Sequence, residues 1–183
     1  MPSDDRISVS APAQEAGQPR LLSECASVFG PDSRDRLAGT ADPGPTGAYA
    51  ALETFYHAFN SASLELIRTV WLDDPLVQLS NPLGGMLRGR ETIAGLYARI
   101  FAGPVRAWVQ FGDIVVMTLG QATVIFAGRE RGAYGDLELD IRTTRCFQYV
   151  PFAGGWRQVH HHGSIDNPDL LRQYRDAVTA ANA

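Results

Sequence analysis

Trp156-Arg157-Gln158-Val159-His160-His161-His162-Gly163-Ser164 holds three of the chain's four histidines in a single run. Turn signals from Pro151 through Gly155 precede it and Asn167-Pro168 follows it, so it reads as the last strand of a sheet. Side chains alternate between the faces of a strand. His160 and His162 are therefore expected on one face with Trp156, Gln158 and Ser164, and His161 on the other. The apparent triple-histidine cluster divides into two sites.

Working outward, the same strand signature recurs upstream. Val105 to Leu119, Gln121 to Glu130 and Leu137 to Tyr149 are rich in β-branched and aromatic residues. Gly120 and Gly132-Ala133-Tyr134-Gly135-Asp136 separate them. Long consecutive strands joined by short turns predict an antiparallel meander. Ahead of it, Tyr49, Leu52, Phe55, Tyr56 and Phe59 recur at helical spacing, with Thr46 expected as the N-cap. Ser63 is expected to cap a second short helix through Trp71, Leu76 to Ser80 reads as a short strand, and Arg90 to Phe101 as a third helix. Pro168 to about Ala180 reads as a polar C-terminal helix. The order predicts an α+β fold: a curved antiparallel sheet packed against three helices, forming a cone with an internal pocket.

Residues 1–45 read differently. Six of the eleven prolines fall there, and the apolar content is too low to offset the entropy of ordering. The expectation is a flexible N-terminal tail ahead of one domain over residues 46–183. Leu21, Leu22, Cys25, Val28 and Phe29 share one helical face, so a short helix docking onto the domain or a partner is expected there.

At 183 residues there is room for one domain with a sizeable core. A net charge of -4 provides no footprint for nucleic acid or an anionic membrane surface. All sixteen basic residues are arginine, and without lysine no Schiff-base chemistry is available. Two cysteines, Cys25 and Cys146, form neither a disulfide framework nor a zinc pattern. With no secretory signal or apolar span, a cytoplasmic location is expected. No metal or cofactor is expected, because no third ligand stands well placed beside His160 and His162.

Three stretches together resemble the nuclear transport factor 2-like superfamily, which includes ketosteroid isomerase, SnoaL-like polyketide cyclases and the kinase association domain of calcium/calmodulin-dependent kinase. They are Phe59-Asn60-Ser61-Ala62-Ser63-Leu64 through Trp71-Leu72-Asp73-Asp74; Asn81-Pro82-Leu83-Gly84-Gly85 with Gly89; and Thr144-Arg145-Cys146-Phe147 followed by the histidine strand. The resemblance implies the cone fold over roughly residues 46–170 and leaves the function open, since this fold hosts many chemistries. Matched to a steroid isomerase, the catalytic base falls on Asn81, the oxyanion-hole tyrosine on Phe55 beside Tyr56, and the oxyanion-hole acid on Arg145. All three functional groups are replaced, so steroid-isomerase chemistry is not expected.

The kinase association domain carries an arginine in the same local setting, where it lines the pocket. By that resemblance Arg145 faces the pocket with His161 opposite it. An arginine and an imidazole would together hold a small carboxylate or enolate. The alternative is an internal salt bridge from Arg145 to Glu130, Glu138, Asp113 or Asp140, because an unpaired buried guanidinium is costly. Asn81 is either a turn residue or a neutral amide at the pocket mouth. Tyr56, Trp71 and Phe147 are further candidate pocket residues. His160 and His162 are expected in a homodimer interface on the outer sheet face, as this superfamily commonly uses. Three functions follow as expectations: binding of a small carboxylate- or carbonyl-bearing molecule; acid–base catalysis by His161 as a dehydratase, isomerase or cyclase; or a non-catalytic assembly module.

Overall fold

Four long strands carry the architecture: β4 (Ala107–Leu119), β5 (Thr123–Tyr134), β6 (Leu137–Val150) and β7 (Gly155–Ser164), each antiparallel to the next. The computed structural model describes residues 21–181. Short strands β1 (Leu22–Cys25), β2 (Gln78–Ser80) and β3 (Met86–Arg88) complete one sheet in the order β1-β4-β5-β6-β7-β2-β3. The β2–β7 pair is parallel, and the other neighbours are antiparallel. The sheet curls without closing, and its concave face meets helices α1 (Pro45–Asn60), α2 (Leu64–Val70) and α3 (Arg90–Ala102). This is the expected α+β cone. Among the described residues, no helix is long and apolar enough to cross a membrane.

α1 is the axis of the core. Gly47, Ala48 and Ala51 give it a small-residue face that lets the sheet approach closely, and a Cβ at Gly47 would lie 2.5 Å from the Trp156 ring. Leu52, Phe55 and Tyr56 follow on the buried side and pack with Phe111, Phe126 and Phe147 from the strands. Burying each such leucine or phenylalanine contributes about 1.5–3 kcal/mol. Asn60 at the helix end fixes the register of α1 on the sheet. Its Nδ2 donates to Val109 O at 2.9 Å while its Oδ1 accepts from Val109 N at 3.1 Å.

Several local expectations are corrected. The segment from Leu21 to Phe29 contains a strand where a helix was expected: β1 pairs with β4 from Leu22↔Met117 to Cys25↔Ile114. The open edge of β4 offers unpaired backbone groups, and pairing them outweighs a short helix with no face to bury. Phe29 then exchanges two backbone hydrogen bonds with Phe111, of 3.0 and 2.7 Å, and is buried. Leu37–Ala41 forms a 3-10 turn that packs on α1. Part of the expected tail thus lies against the domain, and residues 1–20 are outside the described residues. Gly44, not Thr46, is the N-cap of α1, because Pro45 suits the first helical position, where no N–H is needed. Gly132 lies within β5 and not in a turn, paired with Val109 and Leu139, and its lack of a side chain makes room for the Trp108 carbonyl.

A fourth helix, α4 (Pro168–Ala181), starts where Asn167 Oδ1 accepts from Asp169 N at 2.9 Å. It lies across the open end of the cone. Tyr174 packs edge-on against Tyr134 with ring centroids 5.5 Å apart, and Arg175 donates to Leu83 O at 3.0 and 3.2 Å. None of its residues is fully buried.

Candidate functional site

The histidine strand departs from simple alternation at one point. Cys146 pairs with His160 but Phe147 pairs with Gln158, so Val159 is an extra residue in β7. This bulge shifts the side-chain phase by one residue. Gln158, expected on the outer face beside His160 and His162, therefore turns inward with His161. Both are buried, and so is Trp156. His160 is half-buried and His162 exposed, on the outer face as expected from the phase after the bulge.

Arg145 and His161 are direct cross-strand partners on the inner face. The guanidinium is 2% exposed: Nε donates to Tyr56 Oη at 2.9 Å, Nη1 to Gln158 Oε1 at 3.1 Å, and Nη2 to Glu130 Oε1 at 2.7 Å, and the Tyr97 hydroxyl stands within its reach as well. Its plane lies over Phe55, with Cζ 3.6 Å from the ring centroid. Tyr56 in turn donates to Glu130 Oε1 at 2.5 Å. Burial lowers the Arg145 pKa, but the Tyr56 and Glu130 oxygens outweigh it and hold it above its ordinary value. Burial drives the Tyr56 hydroxyl well above the ordinary tyrosine range, so it stays protonated and bridges the ion pair. Of the salt-bridge partners considered from sequence, Glu130 is the one Arg145 meets.

This cluster borders a cavity of about 440 Å³ inside the cone. Its walls are largely apolar, from Phe59, Leu96, Ile100, Val109, Leu139 and Ile141 among others. Glu130, Arg145 and His161 line its inner side; Asn81, Arg99, Tyr134 and Tyr174 also border it. Both hydrogen bonds to Glu130 fall on Oε1, so Oε2 is the carboxylate's open acceptor among the described residues. Tyr97 also lines the cavity, and burial first, with Glu130 second among the raising influences, pushes its hydroxyl up to about 12.

His161 is the unresolved polar group of the site. It is 6% exposed, and neither ring nitrogen has a hydrogen-bond partner among the described residues. Burial, then the Arg145 charge, then His160 and His162, hold its pKa well below the ordinary histidine value. The imidazole is therefore neutral, with one donor and one acceptor unused. Leaving such groups unmade costs about 1–3 kcal/mol.

The other sequence candidates divide. Asn81 borders the cavity while its Oδ1 accepts from Leu83 N at 2.8 Å, so it is both a turn residue and a wall residue. Tyr56 is fully buried behind the wall and reaches the site through Glu130 and Arg145. Phe147 and Trp71 are buried in the core and do not line the cavity, though they share a core cluster with lining residues such as Phe55 and Tyr97. Reading the sequence missed Gln158, which the bulge hid, and weighed Glu130 as only one of four ion-pair partners. Glu130 had a signal: two-residue steps from Val124 through Phe126 and Gly128 reach it, on the inner face of β5. Among the described residues, no group of three or more histidine, cysteine, aspartate or glutamate side chains could hold a metal ion.

Comparison with known proteins adds a family. The SnoaL-like domain matches residues 49–168. No curated protein matches the chain. Among solved structures, a proposed calcium/calmodulin-dependent protein kinase type II association domain from Thiobacillus denitrificans is 31% identical. It superposes with a TM-score of 0.54 over 65% of this chain and 94% of that one. A proposed dehydratase of the nuclear transport factor 2-like family from Streptomyces avermitilis is 22% identical, with a TM-score of 0.54 over 64% and 92%. A protein with a cystatin-like fold from Caulobacter vibrioides is 20% identical, with a TM-score of 0.57 over 75% and 98%. The last two bear on the fold alone.

Proposed function

We propose that this chain, which belongs to the family of SnoaL-like domains, binds a small carbonyl- or carboxylate-bearing molecule at the inner side of its cavity. The observation that carries this reading is a preformed, largely apolar cavity of about 440 Å³ with Glu130, Arg145 and the unpartnered His161 on one side of it. Pockets for small molecules commonly combine apolar walls with a few polar groups that fix orientation. Arg145 and Glu130 hold each other rigid, and His161 retains hydrogen-bonding capacity that no described residue uses. A polar group kept unsatisfied in a core lowers stability, which fits a role in binding.

The test is a fragment titration by calorimetry on wild type and on Leu139→Trp, which fills the cavity from its wall. Saturable binding to wild type that disappears in a folded Leu139→Trp protein supports the reading; binding unchanged by the filled cavity refutes it. Catalysis is a second reading of the same site. A neutral His161 accepts a proton more readily than it donates one, so the version to test is proton abstraction next to a carbonyl. Turnover that persists in His161→Phe removes that residue from the mechanism.

Self-association is a third reading, favoured by the association-domain relative at 31% identity. The outer sheet face carries Val115 and Leu119 exposed on β4, with His160 and His162 on β7. We read that face as the contact between copies. Light scattering on wild type and on Val115→Arg tests it: a monomer in both removes the reading. Cys25 and Cys146 stay unpaired, which fits a reducing compartment such as the cytoplasm.

A further inference from the structure

We infer that Glu130 makes the cavity selective for uncharged guests, and that a carbonyl or amide, not a carboxylate, is the group it accepts beside Arg145. The inference rests on the proposed binding role of the cavity and decides between the two ligand classes left open there. An arginine lining an apolar cavity would ordinarily recruit a carboxylate. Here that position is already taken. Glu130 Oε1 lies 2.7 Å from Arg145 Nη2, and the same oxygen accepts from Tyr56 at 2.5 Å. Both charged side chains are nearly sealed from water, at 2% and 6% exposure, so bulk solvent does not screen either.

The charges of the inner wall therefore sum to zero: one guanidinium, one carboxylate, a neutral His161 and the protonated hydroxyls of Tyr56 and Tyr97. A carboxylate guest would bring a second anion to within a few ångströms of Glu130 after losing its own hydration. Like charges at that distance in a poorly hydrated site repel strongly. An uncharged carbonyl meets no such penalty. It can accept from an Arg145 N–H, since of the five three are committed to Tyr56, Gln158 and Glu130 and the Tyr97 hydroxyl engages one more, which leaves one. An amide N–H or hydroxyl on the same guest can donate to Glu130 Oε2. The cavity then reads as a site for a neutral molecule with adjoining acceptor and donor groups on a mostly apolar body.

Arg99 is the other cation among the lining residues, and unlike Arg145 it has no carboxylate partner among the described residues. An anion bound there would mimic the effect, so the test must separate the two arginines. Benzamide and benzoate share size and shape and differ in charge. Calorimetric titration of both at neutral pH into the full chain should give at least tenfold tighter binding of benzamide. In Glu130→Gln, benzoate should gain at least tenfold, and the gain should survive in Glu130→Gln/Arg99→Gln. In Glu130→Ala, formate should raise the melting temperature by refilling the missing carboxylate, with no rise for formamide and none in wild type.

Wild type binding benzoate as tightly as benzamide overturns the inference while leaving the binding cavity intact. A benzoate gain that disappears with Arg99→Gln overturns it too, because the anion would be read by Arg99. If neither probe binds either protein, the inference falls together with the binding role on which it rests. Should the Glu130 variants fail to fold, the wild-type preference between the two probes decides alone.

Discussion

β5 and β6 carry two sets of arginine–carboxylate pairs, one on each face of the sheet, and the same chemistry behaves differently on the two. Outside, Arg129 meets Asp140 at 3.0 Å and Asp166 at 3.0 Å, and Arg142 also pairs with Asp166. These side chains are between 35% and 59% exposed, and water competes for them except at Asp140 Oδ1, which is itself shielded. Inside, Arg145 and Glu130 are sealed among Phe55, Tyr56 and Phe111. Only Thr143 and Thr144 separate Arg142 from Arg145 along β6. Residue type does not set the role of an arginine here; the face it occupies does.

Breaking one partner on each face should separate them most clearly. Arg145→Met leaves Glu130 buried without its counter-charge, and loss of one partner of a buried pair costs about 3–5 kcal/mol. Urea denaturation should show this as a large fall in the midpoint with an unchanged slope. A fall below about 1 kcal/mol would place the inner pair in the same class as the outer ones. The double variant Arg145→Met/Glu130→Met should recover much of the loss, because no charge is left stranded.

The next effect has the opposite sign. His161→Phe keeps a planar ring and removes two unsatisfied nitrogens, so the unliganded protein should gain about 1–3 kcal/mol in the same denaturation experiment. A loss of stability would mean that the imidazole has partners the fold does not reveal.

Acid should then act through the inner face. The folded pKa of His161 lies below its unfolded value of 6.5, so the unfolded chain binds the additional proton. Stability contributed by this group is complete above about pH 6.5 and falls as the pH drops toward the folded pKa. His160 shifts in the same direction, first through burial and then through His162, so His161→Phe should reduce the slope without abolishing it. Melting temperatures from pH 5 to 8 measure this, and an unaltered slope would remove His161 as its source.

The smallest effect is expected outside. Arg129→Ala should cost between 0 and about 1 kcal/mol and lose even that at high salt. A larger cost would show that the outer network is shielded, as a subunit contact over that face would shield it.

Much of the site was legible one residue at a time, up to the point where the count of residues along a strand stops being even. Alternation set His161 apart from its two neighbours, and the resemblance to the kinase association domain implied that it lies inside opposite Arg145; both lie on the regular side of the Val159 bulge. The same rule put Gln158 outside, since a bulge leaves no mark in residue type. Trp71 and Phe147 were candidates for the wall, yet aromatic residues read the same whether they face a cavity or one another. β1 was misread as a helix because five apolar residues at helical spacing say nothing about an open sheet edge waiting 80 or more residues downstream.

What the sequence determined by itself was the class of fold, through period-two strands after period-3.6 helices, and the division of the three adjacent histidines between the two faces of one strand. Those are consequences of local geometry, which repeats over a few residues and needs no partner. Only the tertiary structure decided what Arg145 meets. Glu130, Tyr56 and Gln158 arrive from β5, α1 and beyond the bulge of β7, at sequence distances of 15, 89 and 13 residues. Glu130 offsets the guanidinium charge, and Tyr56 and Gln158 take up two more of its N–H groups.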